Sequence, residues 1–302
     1  MNKLIRTGII TVIILSLFVL PGCKSGGEKQ KKIEPVAQKD VQKIKEDISK
    51  AEKMFNALPS PLESAMLIKT AGASFDRRYL NPIENVKLYT TTRSQALNLG
   101  IYTCDLSFAS LYDQTQLIID YMNAAKKMAD GLGILDAINQ ETISRLEENI
   151  NNKEVIMEII SETFMNSNSY LADNDQAAVA AIVLTGGWIE GLYIATQLVD
   201  LNNFNGNKLV ATIIDQKLSI DILINLLESN KGNPAVDELI SQVNKLKAVF
   251  DKINIQTTPI KTEIDPATNV TILKSKVTTD MSVETFKELT AVVKEIRDSF
   301  VK

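Results

Sequence analysis

Residues 183–198 read VLTGGWIEGLYIATQL, and they hold the single tryptophan of the chain and three of its thirteen glycines. Apolar residues lie on all sides of them, which predicts a helix buried most of the way round. Glycine inside a helix costs about 0.5–1 kcal/mol relative to alanine, so Gly186, Gly187 and Gly191 need a compensating contact. Gly187, Gly191 and Ala195 stand one above another at four-residue steps, and Ala180 extends the same face. Small residues at that spacing let two helix backbones come close. Trp188 and Tyr193 beside them make a ridge next to a groove. A second reading stays open. Gly186 and Glu190 are also four apart, so the Glu190 carboxylate stands beside a position without a side chain. A small ligand could lie over Gly186 and Gly187, stack on Trp188 and bond to Glu190 and Tyr193.

Asp105 is the other conspicuous residue. It follows Tyr102 and Cys104 and precedes Leu106 and Phe108 in an apolar run. A carboxyl in such surroundings must be paired or hydrogen-bonded. It is either a structural partner of an arginine or tyrosine, or a ligand contact with a raised pKa. Tyr102 and Asp105 therefore join Trp188, Glu190 and Tyr193 as candidate ligand-binding residues. Cys104 reads as a small core residue, since no histidine exists to activate it. LGIYTCDL (99–106) and EGLYIATQL (190–198) share a Gly-apolar-Tyr pattern, either a decayed duplication or chance.

Outward from these two stretches, helical periodicity dominates. Val41, Ile44, Ile48, Ala51, Phe55 and Leu58 predict one amphipathic helix, which Pro59 and Pro61 end. A short helix over 62–71 stops at Gly72. The loop ASFDRRYLNP follows, where Arg77 and Arg78 beside Asp76 either hold an anion or bridge loop to bundle. Asn81-Pro82 predicts a helix start, with a stop or kink at Gly100. A single long central helix is expected over 101–132. Further helices are expected over 136–149, 154–171, 176–201, 208–229 and 235–253, and their short connections imply antiparallel neighbours. The period then shifts. Ile260, Thr262 and Ile264 alternate before the Asp265-Pro266 turn, which predicts a small β-hairpin at about 255–278. Asp280 or Ser282 caps a last helix whose buried stripe is Phe286, Leu289, Val293, Ile296 and Phe300. The expected fold is an all-α, antiparallel multi-helix bundle carrying that hairpin.

The chain begins MNKLIRTGIITVIILSLFVLPGC. Lys3 and Arg6 precede an apolar run over 9–20, too short for the roughly 20 residues of a membrane span but suited to a signal-peptide core. Leu20-Pro21-Gly22-Cys23 resembles a bacterial lipobox, with Pro21 where a small residue is usual. The resemblance implies cleavage before Cys23, lipidation of its sulfur and acylation of the new amino group by a chain such as palmitate. A plain secretory signal with an incidental cysteine is the alternative. Each buried methylene contributes about 0.8 kcal/mol, so two or three chains anchor firmly where one does not. By the same resemblance, Lys24 in place of an aspartate favours the outer membrane of a Gram-negative envelope. The rest of the chain is similar only in style to all-helical envelope lipoproteins. The expected organisation is a signal peptide over 1–22, a polar tether over 23–40 and a single helical domain over 41–302.

Composition narrows the chemistry. The net charge is −4. Without the first 22 residues, which carry two bases and no acid, 31 basic side chains face 37 acidic ones. This is no footprint for nucleic acid or for polybasic membrane attachment. The absence of histidine removes Ser-His-Asp and Cys-His activation and histidine metal sites. No catalytic residue, metal or cofactor is expected. The function expected is a binding or scaffold protein that contacts the membrane through its lipid and another envelope protein through its surface. The alternatives are a small-ligand-binding bundle with a pocket near Trp188 and Glu190 and, more remotely, an enzyme using carboxylates.

Overall fold

Caps and turns set the helix limits. A computed structural model describes residues 57–138, 140–257, 261–264, 271–274 and 277–302. The signal segment, the tether and nearly all of the first expected helix, residues 1–56, lie outside the described residues. Helix α1 (Pro61–Thr70) opens on a reciprocal pair: Ser60 Oγ accepts from the Glu63 N–H, and the Glu63 carboxylate accepts from the Ser60 N–H. Helix α2 (Thr92–Leu111) opens on the same kind of box between Thr91 and Ser94. Then come α3 (Thr115–Gly131), α4 (Gln140–Glu148), α5 (Lys153–Asp173), α6 (Ala177–Gln197), α7 (Lys208–Glu228), α8 (Pro234–Phe250) and α9 (Val283–Phe300). Asn152, Asn207, Asn233 and Ser282 cap α5, α7, α8 and α9.

Two boundaries differ from expectation. The helix expected from Asn81-Pro82 is a 3₁₀ turn (Ile83–Leu88), and α2 begins only at Thr92. Asn81 is drawn into the core instead of capping. Gly100 does not interrupt α2. The break falls at residues 112–114, where Asp113 takes a φ of 58°, a left-handed conformation that aspartate tolerates better than most residues. The helix expected over 101–132 is therefore the second half of α2 followed by α3.

The fold is an all-α bundle. Two consecutive pairs, α2–α3 and α8–α9, run antiparallel. Gln95 meets Gly131 while Tyr102 faces Tyr121 between α2 and α3. Gln242 meets Ser299 while Lys252 pairs with Glu288 between α8 and α9. The centre departs from the expected antiparallel pattern. Along α6, Gly187 and Gly191 meet Pro61 and Ser64 of α1 in ascending order. Gly186, Gly187 and Gly191 likewise meet Leu97, Gly100 and Cys104 of α2. So α1, α2 and α6 run the same way. The connection over 71–91, made of loop and 3₁₀ turns, is long enough to carry the chain from the end of α1 back to its start. The short-connection rule therefore does not reach α1 and α2, whose connection is long, nor α6, which follows neither of them directly.

Helix α6 is apolar and long enough to cross a membrane, yet 83% of its most apolar window is buried in protein. Helices α1, α2, α5, α7, α8 and α9 pack around it, which accounts for its composition. Between α8 and α9, backbone segments β1 (Asn254–Thr257) and β4 (Val277–Asp280) lie antiparallel, as do β2 (Lys261–Ile264) and β3 (Thr271–Lys274). Residues 258–260, 265–270 and 275–276 lie outside the described residues, and with them the hairpin expected at about 255–278 as a unit.

Candidate functional site

Helices α2 and α6 meet backbone to backbone. A Cβ on Gly100 would stand 1.9 Å from the Val183 carbonyl oxygen and 2.6 Å from the Gly187 nitrogen. One on Gly186 would stand 2.1 Å from the Leu97 carbonyl oxygen. The small-residue face is thus a seat for neighbouring helices, as its spacing predicts. The alternative, a ligand over Gly186, would have no room there, because the Leu97 backbone occupies that space.

The close approach brings α2 and α6 carboxyls together. Cys104 abuts Gly191, and the residues next to them, Asp105 and Glu190, are both fully buried and act on each other's charge. Both oxygens of Glu190 accept from Arg297 of α9, from Nε at 2.9 Å and from Nη2 at 2.9 Å. Asp105, Glu190 and Arg297 are all buried. The guanidinium carbon lies 4.7 Å from the centre of the Tyr193 ring, a cation–π contact, and Nη2 also reaches the Tyr79 carbonyl at 3.5 Å. Burial works against the Arg297 charge, but Glu190, with Asp105 behind it, holds its pKa above the ordinary value. Asp105 Oδ2 accepts from the Asn81 backbone N–H at 3.0 Å. Its Oδ1 accepts from no donor among the described residues. Burial, reinforced by Glu190, pushes the Asp105 carboxyl well above the usual carboxylate range; Arg297 and Asn81 oppose this only in part.

Asn81 ties this cluster to the end of α9. Its Nδ2 donates to Tyr89 Oη and to Asn98 Oδ1, each at 3.0 Å. Asn98 in turn donates to the Phe300 carbonyl at 2.9 Å, and Tyr89 to the Val301 carbonyl at 3.2 Å. Tyr121 donates to the Asn81 carbonyl at 3.2 Å, and Tyr102 to the Pro82 carbonyl at 3.1 Å. Burial raises the phenol pKa of Tyr89, Tyr102 and Tyr121, so these groups act as neutral donors. The carbonyls that a helix end leaves without intrahelical partners are satisfied here by side chains from α2 and the loop before it.

Of the five candidate ligand residues, Glu190, Tyr193, Asp105 and Tyr102 converge, but on one another and on Arg297 rather than on a pocket. Trp188 is buried, and its Nε1–H has no hydrogen-bond partner among the described residues. It lines a separate cavity of about 20 Å³ with Ser64, Gly191, Thr212 and Gln216. That is room for about one water molecule. The cavity at Trp188 thus does not include Glu190, although the alternative reading placed both at one pocket. A larger groove of about 240 Å³, lined by Leu58, Pro61, Thr103, Ile160 and Leu184 among others, includes none of the five. Arg78 pairs with Asp76 within its own loop, and among the described residues it makes no ion pair with the bundle. Arg297, Asn98 and Tyr89 were not singled out as site residues from the sequence, and Asn81 was read only as a helix cap. Arg297 did carry a signal: it stands four residues after Val293 and three before Phe300, on the buried stripe of its helix.

Cys104 lies beside this cluster. It is fully buried, and burial, with the nearby Asp105 and Glu190 carboxyls, raises its thiol pKa well above the ordinary value. The thiolate is the reactive form. Cys104 is therefore expected to resist iodoacetamide in the folded protein and to react fully in urea, read by peptide mass. Rapid labelling of the native protein would contradict this packing.

No protein-family model, curated protein or solved structure matches the chain. The site's geometry therefore stands alone: an acid–acid–arginine cluster closed inside an all-α bundle, with its polar groups turned toward each other.

Proposed function

We propose that the chain is a lipid-anchored protein of the bacterial envelope, with no catalytic role, which binds other envelope proteins through its outer surface. The anchor is the acylated Cys23, and residues 24–40 are the tether. The outer membrane is the favoured location, on the strength of Lys24. The segment at about 255–278 is proposed to form a β-hairpin offering an edge to a partner. The observation that carries a surface role is the pairing of Glu190 with Arg297. It commits the most conspicuous interior polar groups to each other and leaves binding to the exterior. The anchor rests on Leu20-Pro21-Gly22-Cys23.

In a bacterial host, the wild-type chain is expected in the membrane fraction with acyl mass on a peptide beginning at Cys23. Cys23→Ser is expected to move it out of that fraction. A mature wild-type protein lacking acyl mass would refute the anchor. Crosslinking in cells tests the surface role, with specific envelope proteins the expected product; recovery of none would count against it.

A further inference from the structure

We propose that a single proton, held on Asp105 beside the Glu190–Arg297 pair, latches helix α9 onto the α2–α6 pair. Glu190 already uses both oxygens on Arg297. Asp105 Oδ1 is buried without a donor among the described residues, and the neighbouring charge that weighs against its ionisation is the buried Glu190 carboxyl. Two ionised carboxylates only accept hydrogen bonds, so their proximity is favourable only when one of them carries a proton. With the proton in place, one acid, one carboxylate and one guanidinium sum to no net charge. Without it, two negative charges share one cation in a water-excluded space, which is strongly unfavourable.

The groups facing Asp105 leave no other compensation. Helix α2 itself presents Tyr102 and Cys104, α3 presents Tyr121, α6 presents Glu190, and α9 presents Arg297. The backbone N–H of Asn81 comes from the preceding loop, with Tyr89 beyond it. Arg77 acts on Tyr121, and Lys294 and Asp298 on Tyr193. The phenols and the thiol stay neutral because burial raises them. Among these elements, α9 is the one able to yield. Helices α2 and α6 are locked by backbone contact at Gly100 and Gly186. Helix α9 meets this region through Arg297 and through the Phe300 and Val301 carbonyls, which hang on the Asn81 hub.

The folded protein keeps this proton at pH values where the unfolded chain releases it. The unfolded aspartate ionises near pH 4. The latch therefore contributes in full below that point and weakens as pH rises toward the raised folded value. Asp105→Asn tests it, because the amide preserves the acceptor for Asn81, keeps a donor as the neutral acid does, and cannot ionise. Urea unfolding of the full chain is followed by Trp188 emission from pH 5 to 9. The unfolding constant of the wild type, divided by that of Asp105→Asn, is expected to rise by about tenfold per pH unit until the folded acid titrates. A ratio that stays flat or falls overturns the proposal. If the variant does not fold, infrared spectra of the wild type alone decide. A protonated-carboxyl band persisting above the pH range in which the unfolded aspartate ionises, and missing from the unfolded chain, supports the retained proton, and its absence refutes it. Hydrogen exchange locates the effect. Protection of α9, corrected for intrinsic base catalysis, is expected to fall before that of α2 and α6. Equal loss across all three would mean general stabilisation and not a latch.

Discussion

Gly100→Ala is expected to destabilise the protein by about 3 kcal/mol or more, the upper end for overpacking a core. Considered as an isolated helix, α2 should gain about 1 kcal/mol from the same change, so the sign of the effect separates the two influences. The added methyl would stand 1.9 Å from the Val183 carbonyl oxygen. That oxygen belongs to the α6 backbone and can retreat only if the helix moves. Gly186→Ala, with its Cβ 2.1 Å from the Leu97 carbonyl oxygen, is expected to behave alike. Gly131→Ala is the informative contrast. Its Cβ would come as close, 2.2 Å, but to the Gln95 side-chain amide. That group is the far end of a flexible side chain and can swing away, so the cost is expected to stay below about 1 kcal/mol. Urea melts followed by Trp188 emission rank the three. A mild effect at Gly100 would show that the helices are not in backbone contact.

Arg297→Met is expected to cost about 3–5 kcal/mol, the range for removing one partner of a buried ion pair. It leaves Glu190 with no cation, next to Asp105. Glu190→Gln is expected to cost less, because Asp105 can then ionise and take over part of the pairing with Arg297. The double variant is expected to recover much of the loss, since the unpaired charge is removed with its partner. Equilibrium unfolding of the four proteins gives the coupling between the two sites. Strict additivity, or a larger cost for Glu190→Gln than for Arg297→Met, would contradict this arrangement of charges.

The glycine spacing was legible in the sequence because four-residue periodicity is a local property of a helix. It showed that Gly187 and Gly191 must be covered, but it could not name the cover. Gly100 looked like a break when read alone, since its cost is local and its compensation comes from Val183 in another helix. The Gly-apolar-Tyr stretches at Gly100 and Gly191 lie in helices that pack against each other. Asp105 and Glu190 were recognisable as buried acids needing partners. Their meeting with Arg297 was not, because α9 lies far along the chain. Asn81 was misread for a related reason: Asn-Pro is a good helix start locally, yet the core offered the side chain stronger partners. Asp113 was missed because an aspartate in a left-handed turn leaves no periodic trace.

The parallel run of α1, α2 and α6 also governs the order of assembly. The seam joins residues on either side of α3, α4 and α5, so its contacts span a long stretch of chain. Contacts of that kind close slowly. As the polypeptide emerges from its N-terminal end, α2 is complete while the helix that covers its glycine face is still to come. Asp105 and Glu190 then meet before the guanidinium that neutralises them has arrived with α9. The bundle thus stays unfinished, with apolar surface exposed, until α9 is added. Incomplete states of this sort are prone to aggregate.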